Sequence, residues 1–245
     1  MPESAPEGKV LAVIKETDQT NSLVVDFPNR GFLERKPGQY ATIRVKREDG
    51  WSEPHPFTIS CAPEEGSLLR FTIKKSGDFT STVPELAPGT PVQCAGPFGA
   101  FCKDIEDKND IVMIAGGVGI TPFLSVLRHF RDIKAQNHIR LFWCNKTLDD
   151  AFSLNELAGM TRELHLRVVH VLSRAPGAEK YHDPSLPAVT YESGHLTKNT
   201  LLKYGVSPGA AYYLCGPSAM QNAVLAELAA CGVDPDNVEK EKFGR

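Results

Sequence analysis

The sequence predicts two domains: a six-stranded antiparallel β-barrel, then an α/β domain built as a doubly wound five-stranded parallel sheet. Three observations lead there. Up to Phe101 the chain breaks into short runs of alternating apolar and polar residues, punctuated by Pro, Gly, Asn and Asp. Beyond Phe101 strand-length apolar runs alternate with helix-length segments. A chain of 245 residues is long enough for two modest cores.

In the first domain, assigned to residues 1–102, strands are predicted over 9–18, 22–27, 39–46, 56–61, 68–75 and 91–95. In the fifth, Phe71 and Ile73 alternate with Arg70, Thr72 and Lys74, the period of a half-buried strand. Turns are marked by Asn29-Arg30-Gly31, Lys36-Pro37-Gly38, Asp49-Gly50 and Pro88-Gly89. Six short strands with no long helix suit a small closed barrel, with one helical turn near 78–81.

Residues 103–110 read as a charged linker, and the second domain is assigned to 108–245. Its first strand, 111–115, leads to a helix over 122–131 with Phe123, Leu127 and Phe130 on one face. Strand 139–144 leads to a helix over 150–157. Strand 166–172 is followed by a loop of about 22 residues and a helix over 198–203. Strand 212–215 leads to a helix over 218–230, and strand 238–243 closes the domain.

Composition narrows the function. Lys and Arg number 27 against 30 Asp and Glu, a net charge of -3, and no basic run marks a nucleic-acid or anionic membrane surface. The longest apolar runs, such as 111–115, fall far short of the ~20 residues of a membrane span, so no span is expected. The N-terminus carries acid and proline where a signal peptide would be basic and then apolar, which points to the cytoplasm. The six cysteines, at 61, 94, 102, 144, 215 and 231, include no CxxC pair and no Cys/His spacing for zinc or iron–sulfur, so no metal site is expected. All but Cys215 are read as small buried hydrophobes. His129, His138, His165, His170, His182 and His195 form no triad, with His195 placed to cap a helix, and Trp51 and Trp143 lack a binding context.

The segment Ile114-Ala115-Gly116-Gly117-Val118-Gly119-Ile120-Thr121-Pro122-Phe123 joins the first parallel strand to the first helix. Glycine there allows positive φ and close approach of backbone to a ligand. Pro122 suits the first helical turn, and the exposed amides would hold a pyrophosphate. A merely tight strand–helix connection would use the same residues.

Together with three further segments, this turn resembles the ferredoxin–NADP reductase superfamily. Gly116 to Pro122 is similar to its nicotinamide-binding turn, and Cys215-Gly216-Pro217 to its second nicotinamide motif. His55-Pro56-Phe57-Thr58 is similar to its flavin motif, in the form found in ferric reductases and the dehydrogenase part of NADPH oxidases, where other members carry an arginine in place of His55. Glu239-Lys240-Glu241-Lys242-Phe243 resembles its acid-plus-aromatic ending. The likeness runs from about Val10 to Phe243.

The resemblance implies FAD on the barrel and NAD(P)H on the α/β domain. Phe57 would lie on the isoalloxazine face and Thr58 would hydrogen-bond near N5, where hydride arrives. A neutral His55 offers the pyrophosphate less charge than arginine does. Thr72-Ile73-Lys74 match the strand whose backbone meets the ribityl and pyrophosphate, although Lys74 also reads as a solvated strand end. Gly77-Asp78-Phe79-Thr80-Ser81 match the turn whose amides and hydroxyls face the pyrophosphate. On the other domain Gly117, Val118, Gly119, Ile120, Thr121 and Pro122 would cradle the dinucleotide, with Thr121 on the carboxamide and Cys215 beside C4. Phe243 would cover the flavin and swing aside, and Glu241 would handle protons near N5 or be a solvated strand charge.

Ser173-Arg174 with Lys180, bordered by Asn145-Lys146, would grip a 2′-phosphate, which favours NADPH over NADH. The implied activity is a flavoprotein reductase that accepts hydride and passes electrons singly to a partner: ferredoxin, flavodoxin, a cytochrome, a ferric complex or a membrane haem subunit. Two alternatives stand beside it: an NADH-linked flavin or ferric reductase that holds flavin loosely, and a non-catalytic dinucleotide-binding subunit.

Overall fold

The alternating segments of the N-terminal part form strands because alternation buries one face of each. In a computed structural model, which describes residues 6–242, they are β1 (Glu7–Lys15), β2 (Thr20–Asp26), β3 (Tyr40–Arg47), β4 (Gly50–Trp51), β5 (His55–Thr58), β6 (Leu68–Lys74) and β7 (Pro91–Phe98). Two short helices interrupt them, α1 (Arg30–Leu33) and α2 (Asp78–Thr82). The strands pair antiparallel in the order β4-β3-β7-β1-β2-β6, with β5 also on β3. The sheet curls until its ends meet: Ile59 bridges Phe71, and the Ser60 amide donates to the Arg70 carbonyl at 2.8 Å. Six strands therefore make the expected barrel, and β4 is an added two-residue flap across the Asp49-Gly50 turn.

Leu23, Val25, Ile43, Val45, Phe71 and Val92 fill the barrel. Beside them Thr72 Oγ1 sits 2.8 Å from Ser22 Oγ and 3.0 Å from Ser60 Oγ, so a buried hydroxyl cluster ties β6 to β2 and to the end of β5. Arg35, also buried, donates to the carbonyls of Ala62, Gly66 and Leu68 and so braces the turn between β5 and β6.

The later strands are β8 (Asp110–Gly116), β9 (His138–Asn145), β10 (Leu166–Leu172), β11 (Val189–Ser193), β12 (Ala211–Gly216) and β13 (Val238–Lys242). They alternate with α3 (Thr121–Asp132), α4 (Leu154–Met160), α5 (Lys198–Lys203) and α6 (Ser218–Ala230). All pair in parallel in the order β11-β10-β9-β8-β12-β13. This sheet has six strands where the sequence predicts five. The extra one, β11, lies in the predicted loop; of its residues only Val189 is buried, and pairing with β10 holds it at the sheet edge.

Residues 103–110 are not an extended linker either. Ile105 is buried, 105–107 form a 3-10 turn, and the Asn137 amide donates to the carbonyls of Glu106 and Lys108. The helix predicted over 150–157 starts only at Leu154, because Asp150 instead closes a turn by accepting from the Thr147 amide at 3.1 Å. His195 caps nothing; Thr197 caps α5 by accepting from the Thr200 amide.

The chain divides into two compact units. One runs to Lys103 and includes Thr121–His129; the other comprises Asp104–Ile120 and the chain from Phe130 onward. No helix among the described residues is long and apolar enough to cross a membrane.

Candidate functional site

In the first unit the flavin motif is strand β5, with His55 opposite Ile43, Phe57 opposite Ala41 and Thr58 opposite Tyr40. The His55 ring stacks on Phe79 at 4.1 Å, and Phe57 lies near parallel to Phe79 at 6.0 Å. Phe57 is half-buried, Thr58 is buried and Pro56 is exposed. Burial lowers the pKa of His55 below the ordinary imidazole value, the nearby Arg47 charge adds to the effect, and His55 is thereby kept toward its neutral form.

In the 76–81 turn, whose amides and hydroxyls are expected to face the pyrophosphate, the Thr80 hydroxyl is engaged within the loop itself. Thr80 Oγ1 accepts from the amides of Ser76 at 2.8 Å and Gly77 at 3.0 Å, and donates to the Gly77 carbonyl, so this hydroxyl closes the loop. Ser81 remains exposed. The Thr72 hydroxyl is committed to the buried cluster and Ile73 to the core, which leaves the backbone of β6 and the exposed Lys74 for a ligand.

Three contacts in this unit were not foreseen. Ser125 Oγ donates to the Cys61 carbonyl at 2.8 Å, Arg128 Nη1 donates to the Ser60 carbonyl at 2.5 Å, and His129 Nδ1 lies 2.7 Å from Glu64 Oε1. They bind the buried start of α3, including Thr121 and Pro122, to the segment that follows β5.

In the second unit the strand order reverses between β8 and β12, the switch point where open α/β sheets bind ligands. Both expected nicotinamide segments lie there. Residues 117–120 form a 3-10 turn after β8, and Cys215-Gly216-Pro217 ends β12. Their backbones touch: a Cβ on Gly119 would lie 2.4 Å from the Cys215 carbonyl oxygen, so only glycine fits. Gly117 has φ +52, and a Cβ there would meet no atom within 4 Å, so the backbone faces open space. Trp143 Nε1 donates to the Gly117 carbonyl at 2.9 Å, giving Trp143 the context that sequence alone did not supply.

Cys215 is fully buried and sits opposite Glu241 across β12 and β13. Burial, with Glu241 second, raises the thiol well above its usual range, so it stays protonated and is no nucleophile. Burial, then Glu239, also pushes the half-buried Glu241 carboxyl up. Gln221 Nε2 ties this edge together, donating to the carbonyls of Gly216 at 2.8 Å and Glu241 at 2.7 Å. Phe243 lies outside the described residues.

The ends of β9 and β10 bring the coenzyme-discriminating residues together. The Ser173 amide donates to the Asn145 carbonyl at 3.0 Å, and the Arg174 amide to the Lys146 carbonyl at 2.7 Å. Lys146, Arg174 and Lys180 are exposed, with the Lys180 ammonium 5.2 Å from the Tyr181 ring centroid.

These residues fit the expected cofactors. The half-buried Phe57 ring, near parallel to the buried Phe79 behind it, offers an apolar face to a flavin. At the switch point the open side of Gly117 is joined by Asn145 Nδ2, buried at the end of β9 without a partner, as a donor awaiting a polar ligand.

Known proteins agree. An FAD-binding domain family matches residues 8–110 and an oxidoreductase NAD-binding domain family matches residues 113–226. The reductase component of propane 2-monooxygenase from Mycolicibacterium goodii is 28% identical over 240 residues, covering 96% of this chain and 66% of that protein. Across such curated relatives the chain spans from about half, 52%, to about two thirds, 66%, of their length. In fold, the FAD/NAD-binding domain of a Vibrio cholerae nitric oxide dioxygenase superposes with a TM-score of 0.80 at 21% identity, covering 98% of this chain and 99% of that one. A Neisseria gonorrhoeae ferredoxin NADP+ reductase with bound FAD and NADP gives 0.74 at 20% identity, covering 96% and 97%. The chain thus joins an FAD-binding domain to an oxidoreductase NAD-binding domain.

Proposed function

We propose that this chain takes hydride from NADPH and delivers electrons singly to a separate redox partner, with residues 1–102 serving FAD and 108–245 serving the dinucleotide. The observation that carries this reading is the backbone junction of Gly119 with Cys215 at the switch point, in a chain whose other unit presents Phe57 and His55. Bound FAD supplies two-electron uptake and one-electron release. The chain's part is to bind and orient. Phe57 and Thr58 set the flavin face, Thr121 and the 117–120 turn seat the nicotinamide end, and the buried Cys215 fills space beside it without reacting. Glu241, its carboxyl pushed up by burial, holds a proton more readily than a surface acid, and Phe243 gates access.

The relative named as a reductase component supports an acceptor protein as partner, with ferredoxin, a flavodoxin, a cytochrome or a ferric complex as its chemical classes. Arg174 and Lys180, exposed and with no acid at 173 or 174, favour the 2′-phosphate of NADPH. None of the six cysteines is in a disulfide, which suits the reducing cytoplasm.

Anaerobic mixing of the FAD-loaded protein with NADPH tests the reading: bleaching of the flavin is expected, and no bleaching with either coenzyme refutes it. Arg174→Ala should raise KM for NADPH far more than for NADH; equal effects overturn the coenzyme assignment. The neutral tendency of His55 favours one second reading, a reductase that exchanges its flavin. Loss of flavin on dialysis would select it.

A further inference from the structure

We propose that Arg47 is the cation that binds the diphosphate of FAD in this chain. The proposal rests on the flavin reading and names a residue outside its motifs. A diphosphate needs a lasting positive partner in its site, and arginine, which stays protonated, forms paired bonds to phosphate oxygens. Within the flavin motif the only candidate, His55, is held toward neutrality by burial.

Arg47 ends β3, the strand on which β5 is registered with His55 opposite Ile43. Its Nη2 donates to Thr82 Oγ1 of α2 at 3.0 Å, and its guanidinium lies 5.7 Å from the centroid of Phe79. That same Phe79 ring stacks on His55 at 4.1 Å. One aromatic ring thus carries both the neutral imidazole and the permanent cation, between β5 and the 76–81 turn. Arg47 is exposed, the bond to Thr82 uses one of its donors, and among the described residues no carboxylate forms an ion pair with it. The guanidinium is therefore anchored in direction yet keeps its charge and remaining donors for a ligand.

The test compares two flavins on the full chain stripped of cofactor. FAD carries the diphosphate and riboflavin carries no phosphate, so a phosphate-binding residue separates them while a merely structural residue moves both. Arg47→Gln should weaken FAD ~10–100-fold and leave riboflavin binding and the melting temperature as they were. Arg47→Lys should recover part of the loss, and the salt dependence of FAD binding should flatten in Arg47→Gln. Equal weakening of both flavins overturns the proposal, as does undiminished FAD affinity in Arg47→Gln when the wild type binds FAD. Wild-type protein that binds no FAD overturns the flavin reading itself and the proposal with it.

Discussion

Trp143 donates its indole N–H to the carbonyl of Gly117 at 2.9 Å, across the sheet from β9 to the turn that follows β8. Because C=O and N–H point oppositely in a trans peptide, anchoring that carbonyl inward turns the Val118 N–H away from the indole. Phe152 meets the Trp143 ring edge-on at 5.2 Å and holds it in place. Trp143→Phe keeps a ring in the space and removes only the donor. It should cost about 1 kcal/mol of stability and lower affinity for the oxidised dinucleotide ~5-fold, read by titration calorimetry without turnover. Unchanged affinity would mean the turn needs no such anchor.

Two glycines of the same turn should behave oppositely. At Gly119 a methyl would lie 2.4 Å from a backbone oxygen that cannot retreat, so Gly119→Ala should destabilise by about 1–3 kcal/mol. At Gly117 the space is open and only the φ of +52 resists, so Gly117→Ala should lower the melting temperature less. Its methyl enters the face assigned to the ligand, and dinucleotide affinity should fall nonetheless. Thermal melts paired with binding titrations separate the two, and equal melts for both variants would contradict the packing described.

The barrel and most of the parallel sheet were legible because burial of one face leaves a period in the sequence, as in Phe71 and Ile73 of β6. Strand β11 was not, since an edge strand with one buried residue leaves no period to read. The four motifs pointed to the residues assigned to the two cofactors, but not to the supports behind them. Arg47, Trp143, Gln221 and Arg128 act through register and packing between segments far apart in sequence, and nothing in their neighbours marks them. The bonds of the Thr80 hydroxyl to the amides of its own loop were likewise not legible in the turn's residues.

His170 makes stability depend on acid. It is buried on β10, its ring stacks on Tyr191 at 5.0 Å, its Nδ1 has no partner, and burial lowers its pKa from 6.5 to about 4. Below pH 6.5 the unfolded chain takes up a proton that the folded chain refuses until about pH 4. Stability therefore falls as pH drops through that window, by about 3 kcal/mol in all. His170→Phe keeps the stacking and removes the titration. Urea unfolding at pH 7 and pH 4.5 should show a smaller acid loss in the variant than in the wild type; equal losses would assign the pH dependence to carboxylates alone.

Gln221 joins the ends of two strands through one side-chain amide, bonding the Gly216 carbonyl of β12 and the Glu241 carbonyl of β13. It is buried on α6, so no water stands ready to replace it. Gln221→Leu matches its size and leaves both carbonyls short of a donor, which should cost about 2–3 kcal/mol. The loss should be local, because β13 is the outermost strand and pairs only with β12 among the described residues. Hydrogen exchange should therefore quicken in residues 238–242 while β8 and β9 keep their protection. Since Glu241 sits opposite Cys215, the freed edge should also make that thiol accessible to alkylation under native conditions. A variant with uniform loss of protection across the sheet, or with Cys215 as inert as before, would show that Gln221 supports the core at large and not this edge.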